Sequence, residues 1–240
     1  ADAHSELARA RLAEGDRTGA RIALDRAQDL GKDGNPAALA TDITLNIGSG
    51  NLAAARKSLA ALQARAGETS ETLMYQGDIA RAEKRTAEAI DLYRKSLQKA
   101  PTTGALSKLV ATLNGSGRTA EARTLLVDWL RRYPNDRSGA LLLADVSLAT
   151  GDVATAQQVY ETTLRQAPNH VLALNNLANI YLQRNDKRAA LLAEKAARLA
   201  PDDPEILDTL GWIRFKTGAN AEALDVLRRA ASRTESPEVH

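Results

Sequence analysis

Apolar residues recur every three or four positions along this chain, in runs separated by turn-forming residues. Two of the clearest runs are 122–130 and 141–148. Their apolar members are Ala122, Leu125, Leu126, Trp129, Leu130, Leu141, Leu143, Ala144 and Leu148. Because this spacing places the apolar side chains on one face of an α-helix, the pattern predicts a succession of amphipathic helices.

Helix-breaking residues interrupt the runs at a regular interval. The prolines are Pro36, Pro101, Pro134, Pro168, Pro201, Pro204 and Pro237, and successive steps from Pro101 are 33, 34 and 33 residues. A second, offset series consists of Gly15, Gly50, Gly117, Gly151 and Gly218, with Lys84 and Asn185 where a glycine is expected. Asn tolerates the left-handed conformation of a helix end well and Lys poorly.

Alanine follows five residues after each of these seven positions: Ala20, Ala55, Ala89, Ala122, Ala156, Ala190 and Ala223. A small residue that recurs at one position indicates that two helices cross closely there. The sequence therefore predicts helical hairpins of about 34 residues, each with a first helix (A), a turn and a second helix (B). The predicted units are 1–35, 36–69, 70–102, 103–136, 137–170, 171–203 and 204–237, with 238–240 beginning a truncated eighth.

This repeat resembles the tetratricopeptide repeat, whose signature is W-x2-L-G-x2-Y, then A-x3-F, then P. The last unit matches at Leu210, Gly211, Gly218, Ala223 and Leu227. Other matches are Leu7, Ala8, Gly15, Asp16, Ala20 and Leu24 in the first unit, Leu143, Ala144, Gly151, Asp152, Ala156, Tyr160 and Pro168 in the fifth, and Leu177, Ala178 and Tyr181 in the sixth. The resemblance covers essentially the whole chain. It implies an all-α fold, a right-handed superhelical solenoid of about seven hairpins forming a single array over 1–240.

Some positions depart from the signature. Asp42 and Asn46 replace its Leu and Tyr in the second unit, and Gln76 replaces its Leu in the third. These hairpins are expected either to be looser or to bury a polar group that a partner satisfies. The sixth unit lacks one residue, which we place in its second helix between Ala190 and Pro201, and the first gains one near Gly31–Asn35.

Composition is consistent with a helical repeat and excludes several classes of protein. Ala and Leu together make up 80 of 240 residues, aromatic residues only 3%, and the net charge is +2. Strong helix formers thus dominate, and the chain is neither sheet-rich nor disordered. The basic and acidic residues are interleaved, so no nucleic-acid-binding face is expected. No apolar run is long enough to span a membrane, and zero cysteines exclude disulfides and thiolate sites.

The resemblance implies a concave groove, lined mainly by the first helices, that binds an extended or helical peptide. The positions carried over are Asp2, Ser5, Arg9, Met74, Asp78, Arg81, Ser107, Lys108, Ala111, Asn114, Leu141, Asp145, Leu148, Asn175, Asn179, Leu182, Asp208, Trp212 and Phe215. Those selected as the partner-binding set are Arg81, Lys108, Asp145, Asn175, Asn179, Asp208, Trp212 and Phe215.

Each selected residue also has a structural interpretation. Trp212 and Phe215 either anchor an apolar partner group or pack against an eighth unit. Asn175 and Asn179, one turn apart, either bind a peptide backbone or solvate the helix face. Asp145 and Asp208 can be ordinary solvated carboxylates. Trp129, Tyr93 and Tyr160 lie at core positions of second helices, where we expect a structural role.

Nothing in the sequence predicts an enzyme, a cofactor or a metal site. The three histidines, His4, His170 and His240, share no helix face. Gly48-Ser49-Gly50 and Gly115-Ser116-Gly117 lie in or just before predicted hairpin turns, so their small residues are explained by the repeat. No phosphate-binding loop, HExxH or calcium-loop pattern is present.

A narrower resemblance concerns the run from Leu192 to Gly218, which continues to His240. It is similar to the C-terminal repeats of long bacterial tetratricopeptide lipoproteins encoded with exopolysaccharide and PEP-CTERM (exosortase) sorting systems. This implies a periplasmic or outer-membrane-associated protein, with the cytoplasm as the alternative. The expected function is a protein–protein scaffold; the alternatives are a structural spacer arm of an envelope complex and a polysaccharide-binding module.

Overall fold

The computed structural model describes residues 3–29 and 35–235, and in those ranges the chain forms fourteen α-helices and no strand. The all-α prediction is confirmed. In chain order the helices are α1 (Ala3–Ala13), α2 (Arg17–Asp29), α3 (Pro36–Gly48), α4 (Leu52–Ala66), α5 (Ser70–Ala82), α6 (Thr86–Lys99), α7 (Thr103–Gly115), α8 (Thr119–Arg132), α9 (Arg137–Ala149), α10 (Val153–Gln166), α11 (Val171–Gln183), α12 (Arg188–Leu199), α13 (Pro204–Lys216) and α14 (Asn220–Glu235).

Successive helices pack as antiparallel hairpins. The pairs α1–α2, α3–α4, α5–α6, α9–α10, α11–α12 and α13–α14 have the most extensive contacts, and α3, α5, α7, α11 and α13 also pack on the helix before them. First helices contact one another along the chain, as α1 with α3, α3 with α5, and α11 with α13. The chain divides into two compact units, with the boundary after Ala122. A single array over 1–240 stays a prediction.

The turn within each hairpin is built around a residue with positive φ. Lys84 (φ 61°) and Asn185 (φ 53°) adopt this conformation at the positions where the sequence replaces glycine, as predicted. The next residue donates its backbone N–H back into the preceding helix: Arg85 to the Ala80 carbonyl at 2.8 Å and Asp186 to the Tyr181 carbonyl at 2.9 Å. These bonds satisfy carbonyls that the helix end leaves unpaired.

The crossing alanines are buried in six of seven hairpins, at Ala20, Ala55, Ala89, Ala122, Ala156 and Ala223. The seventh assignment is wrong: Ala190 is only half-buried, and Ala189 occupies the crossing. Ala189, Ala193 and Ala196 are all buried. Ala189 lies 12 residues before Pro201, just as the buried Ala156 of α10 lies 12 residues before Pro168. The missing residue of this unit therefore lies in the turn after Asn185 and not in the second helix.

Large rings are buried at the predicted core positions. Tyr93 and Tyr160 are almost fully buried and Trp129 is largely so, which confirms their structural role. The Trp129 indole N–H donates to Asp136 at 2.7 Å. Each ring thus fills a hairpin interior while its polar atom finds a partner, as buried Tyr and Trp require.

The second hairpin satisfies its unusual polar residues from within the chain. Asp42 accepts hydrogen bonds from Arg21 at 2.6 Å, from Ser58 at 2.6 Å and from Asn46 at 2.9 Å. Arg21 also donates to the Asn46 side-chain oxygen at 3.1 Å. Of the two alternatives expected for this hairpin, the one in which a partner satisfies these groups is wrong, because α2, α3 and α4 supply the donors. Gln76, by contrast, lines a cleft of about 330 Å³ between α4, α5 and α6.

Candidate functional site

In the first of the two compact units, which ends at Ala122, the candidate residues centre on a buried carboxylate. Asp78 on α5 is 6% exposed and accepts hydrogen bonds from the Tyr93 hydroxyl at 2.7 Å and from the Lys108 ammonium at 2.9 Å to each oxygen. Lys108 lies one first helix further along, on α7, so this ion pair ties α5 to α7. Lys108 is half-buried and already paired, whereas Arg81 is exposed at the end of α5.

Burial and the neighbouring Asp78 charge raise the pKa of the Tyr93 hydroxyl far above its ordinary value. Tyr93 therefore stays protonated and donates to Asp78. Because Asp78 receives donors from two helices, its charge is compensated inside the protein. This cluster stabilises the hairpin pair, and Arg81, which also interacts with the Tyr93 hydroxyl, is the exposed residue of the predicted set here.

In the second compact unit, which begins at Arg123, three asparagines lie along α11: Asn175, Asn176 and Asn179. The Asn176 amide donates to the Tyr160 hydroxyl at 2.9 Å, and the Asn179 amide donates to the Thr209 hydroxyl on α13 at 3.2 Å. Asn175 is 7% exposed, and its side-chain oxygen accepts no hydrogen bond from any described residue. Such an unpaired buried oxygen carries the full cost of its lost hydration.

Asp145 continues this polar row onto α9. It is exposed, and it accepts a hydrogen bond from the Tyr160 hydroxyl at 2.8 Å. Burial and this hydrogen bond raise the pKa of Tyr160, so the phenol stays neutral and relays between Asp145 and Asn176. The structure thus links Asp145 on α9 to Asn176 on α11 through the Tyr160 hydroxyl on α10.

The third group lies on α13. Trp212 and Phe215 are 47% and 48% exposed, and their ring centroids are 5.4 Å apart with planes inclined by 26°. The Lys216 ammonium lies 5.0 Å from the Trp212 ring centroid. Asp208, one turn before Trp212, is exposed. The structure therefore places a stacked aromatic pair beside one carboxylate and one ammonium.

Sequence reasoning missed two members of these groups. Asn176 and Lys216 were outside the selected set, although the sequence carries a signal for each. Asn176 is the second residue of an Asn-Asn pair, and Lys216 stands four residues after Trp212, where side chains on one helix meet. The relay through Tyr160 has no local signal, because Asp145, Tyr160 and Asn176 lie on three different helices.

The arrangement can hydrogen-bond, pair charges and stack rings. Among the described residues, no group of three or more His, Asp or Glu side chains is placed to hold a metal ion. None of the described helices is long and apolar enough to cross a bilayer. The candidate set consists of ordinary polar and aromatic side chains.

Comparison with family models gives matches to tetratricopeptide repeats over much of the chain. One model matches residues 45–102 and 141–204, and a second matches 80–146. The first of these alone covers half of the 240 residues. The matched ranges include α11 with its asparagines and the α5–α7 ion pair.

Two curated relatives are cellulose synthase operon proteins. The chain is 36% identical over 110 residues to the operon protein C of Pseudomonas fluorescens, which covers 45% of this chain and 9% of that protein. It is 30% identical over 209 residues to the operon protein C of Komagataeibacter xylinus, covering 80% of this chain and 16% of the relative. The chain thus spans less than a fifth of the length of these relatives.

A solved structure shares the fold over almost the whole chain. It is the crystal structure of a tetratricopeptide repeat protein from Parabacteroides merdae, with a TM-score of 0.64 and 17% identity. The match covers 98% of this chain and 95% of that one. At this identity, the likeness concerns the arrangement of the helices alone.

Proposed function

This chain belongs to the tetratricopeptide repeat family, and from that premise we propose that it is a non-catalytic scaffold whose first helices bind a segment of a partner protein. Repeats of this family are protein-interaction scaffolds. The proposed binding surface in the second unit consists of Asp145, Asn175, Asn179, Asp208, Trp212 and Phe215. In the first unit it consists of Arg81, with Lys108 as a half-buried neighbour.

One observation carries the proposal: the unpaired side-chain oxygen of Asn175. Asn175 is only 7% exposed, yet its side-chain oxygen accepts no hydrogen bond from any described residue. A backbone N–H from a bound segment would supply that donor and recover the lost hydrogen bond. Asn179, one turn along α11, and the exposed Asp145 on α9 would add further acceptors for the same segment.

The charge of the surface in the second unit selects among segments. Asp145 and Asp208 are exposed carboxylates on α9 and α13, and the Asn amides between them are neutral. A segment that carries a basic side chain would be favoured over an acidic one, since like charges oppose binding. The first unit presents Arg81 and would favour the opposite sign.

Site-directed photo-crosslinking in cells that make the parent protein tests the proposal. A photoreactive amino acid is placed at Asp145 on α9 or, as a matched control, at exposed Leu191 on α12. We expect a discrete protein adduct from position 145 that disappears when Asn175→Ala and Asn179→Ala are added, and none from position 191. Equal adducts from both positions, or an adduct insensitive to the two substitutions, would contradict it.

We assign this scaffold to the assembly of a bacterial envelope or exopolysaccharide system, or of a protein-export system of the PEP-CTERM type. Support comes from the likeness to two cellulose synthase operon C proteins, and from the sequence similarity of 192–240 described above. The corresponding location is the periplasm or the outer membrane. Fractionation of cells with an antibody to this chain tests the location, and recovery in the cytosol would contradict it.

A structural spacer arm is the second candidate, supported by a recurring bond between hairpins. In three hairpins a basic side chain of the second helix donates to a carbonyl in the loop that precedes the hairpin. The bonds are Lys99 to Glu68 at 2.7 Å, Lys195 to Pro168 at 2.6 Å and Arg229 to Pro201 at 3.1 Å. Such ties stiffen a stack of hairpins whatever it binds. Under this function, substitutions on the first helices leave activity in cells unchanged.

A further inference from the structure

The loops that precede the last two hairpins are each tied to the hairpin by a basic side chain. Lys195 of α12 donates to the Pro168 carbonyl at 2.6 Å, and Arg229 of α14 donates to the Pro201 carbonyl at 3.1 Å. Each donor stands six residues after the buried alanine at which the two helices of its hairpin cross. A long side chain thus spans the gap between the second helix and the loop.

The hairpin formed by α9 and α10 lacks this bond. Six residues after its crossing alanine, Ala156, stands Thr162, and the equivalent proline of the preceding loop is Pro134. The Thr162 hydroxyl donates to the Gln158 carbonyl of its own helix at 2.8 Å. No described residue donates to the Pro134 carbonyl. Because threonine is too short to span the gap, the space that a basic side chain crosses in the later hairpins stays open here.

The open space, termed the α10 cleft, has a volume of about 460 Å³ and lies between the α8–α9 loop, the start of α9 and the end of α10. This volume is within the range of ligand-binding sites in proteins. Ala140, Leu143 and Val159 supply apolar lining. The α10 cleft therefore has the size and the partly apolar wall that a bound group requires.

The polar side chains of the α10 cleft have hydrogen-bonding groups that the protein does not use. Arg137, the first residue of α9, is exposed and forms no ion pair with any described residue. The side-chain amides of Asn135, Gln158 and Gln166 likewise form no hydrogen bond with described residues. The cleft thus offers one guanidinium and three amides to a ligand.

The unpaired charge in the α10 cleft is positive. Asp136 is the single carboxylate among the lining residues, and it already accepts hydrogen bonds from the Trp129 indole at 2.7 Å and from the Gly139 backbone N–H at 3.1 Å. Arg165 donates to the Thr162 hydroxyl at 2.8 Å, which places a second guanidinium beside the cleft. A carboxylate is the charged group that fits this site, since its hydrogen bonds with a guanidinium are charge-assisted.

From these observations we infer that the α10 cleft binds an extended, acidic segment of a partner protein. A backbone N–H of the segment donates to the Pro134 carbonyl, where the later hairpins place a basic side chain, and an Asp or Glu side chain pairs with Arg137. The peptide groups of the segment match the three lining amides, each of which both donates and accepts. None of the lining residues is aromatic, so a sugar ring would find no flat apolar face.

This second site goes beyond the proposed function and selects the opposite charge. It shares no residue with the surface proposed above for the first helices of the second unit, where the exposed Asp145 and Asp208 favour a basic segment. The second unit would therefore bind two segments of unlike charge through separate surfaces.

The test uses three variants of the full chain. Thr162→Lys restores the side chain that α12 and α14 carry at this position, so it fills the cleft and occupies the Pro134 carbonyl without disturbing the hairpin. Arg137→Gln removes the unpaired guanidinium. Ala154→Lys, on an exposed position of α10 outside the cleft, is the matched control because it adds the same charge as Thr162→Lys. Helix content and Tm establish that each variant is folded.

A phage-displayed library of random peptides, depleted on immobilised Thr162→Lys protein and then selected on the parent, provides the probe. We expect the recovered peptides to be enriched in Asp and Glu. In calorimetric titrations, synthetic copies should bind Thr162→Lys and Arg137→Gln about tenfold or more weakly than the parent. Binding to Ala154→Lys should equal that of the parent. Glu→Gln replacement in the peptide should weaken binding to the parent but not to Arg137→Gln.

Three results would overturn the inference: no peptide survives both selection steps, the surviving peptides are not acidic, or they bind Arg137→Gln as tightly as the parent. Binding of a galacturonate oligosaccharide in the absence of any such peptide would overturn it as well and assign the cleft to an acidic glycan. The double variant Asn175→Ala, Asn179→Ala should bind the recovered peptides normally. Failure at the α10 cleft is therefore distinguishable from failure of the proposed surface on the first helices.

Discussion

At the scale of single residues, the hairpin turn between α5 and α6 contains a side chain in an unfavourable backbone conformation. Lys84 has φ 61°, in the region that costs an L-residue about 1–2 kcal/mol. It is exposed, and its neighbours satisfy the helix end through backbone groups. The turn therefore forms because the flanking helices require it and despite the residue at its centre.

Replacement of Lys84 by glycine should relieve this strain. We expect Lys84→Gly to raise the free energy of unfolding by about 0.5–1 kcal/mol, since the greater flexibility of glycine in the unfolded chain offsets part of the gain. Chemical denaturation monitored by circular dichroism measures the change. Asn185→Gly is the matched control and should change stability much less, because Asn tolerates the left-handed region. A larger effect at 185 than at 84 would refute this explanation.

A second residue-scale constraint lies at the helix crossing within the α5–α6 hairpin. A Cβ added to Gly77 would stand 2.6 Å from Cε1 of the buried Tyr93 ring. We expect Gly77→Ala to lower the free energy of unfolding by about 1–3 kcal/mol through overpacking. Gly104→Ala on α7 is the control, because nothing lies within 4 Å of its added Cβ and alanine favours the helix. Equal effects of the two substitutions in a denaturation experiment would contradict this.

At the scale of elements, charged side chains hold the turn between α11 and α12. Asp186 accepts hydrogen bonds from the Arg188 backbone N–H at 2.9 Å and from its guanidinium at 2.7 Å. These bonds lower the pKa of Asp186 to about 2. The Arg188 guanidinium carbon also lies 4.0 Å from the Tyr181 ring centroid, so one arginine links the turn to the end of α11.

The lowered pKa gives this turn a pH dependence of known sign. Because the folded-state pKa lies below the ordinary Asp value near 4, ionised Asp186 stabilises the fold above about pH 4 and that contribution is lost as the pH falls toward 2. We expect the parent to melt at a higher temperature than Asp186→Asn at pH 7 and the difference to vanish near pH 2. A difference in Tm that is constant with pH would show that the charge is irrelevant.

At the scale of the molecule, the stability of an array depends on stacking between neighbours. In the second unit, Ile206 packs with Leu174 and Ala196, and Leu207, Leu210 and Ile213 are also buried. Removal of residues 204–240 would uncover the preceding hairpin. Each buried leucine or isoleucine contributes about 1.5–3 kcal/mol, so the loss to the second unit amounts to several kcal/mol.

We therefore expect the chain truncated after residue 203 to lose amide hydrogen-exchange protection in α11 and α12. Protection in α3–α7 of the first unit should be unchanged, because only nearest neighbours in a repeat array interact directly. Hydrogen exchange of peptide fragments measures both regions at once. Uniform loss of protection across the chain would contradict nearest-neighbour stability.

Much of the candidate surface could be listed from the sequence but not interpreted. The repeat register placed Asn175, Asn179, Trp212 and Phe215 on first helices, and the structure has them there. It did not distinguish Lys108, which is paired with buried Asp78, from exposed Arg81. The difference depends on residue 78, 30 positions away on another helix, and a local pattern carries no such information.

The sequence by itself determined the helices, their turns and the hairpin repeat, because apolar spacing, turn residues and crossing alanines act within a few residues of one another. Tertiary structure decided the rest. Because Ala189 is the residue buried at the helix crossing, the sixth repeat unit lacks its residue in the turn at Asn185 and not in the second helix. Tertiary structure also left the Asn175 oxygen unpaired and the α13 rings exposed, because hydrogen bonding and burial depend on which helices become neighbours.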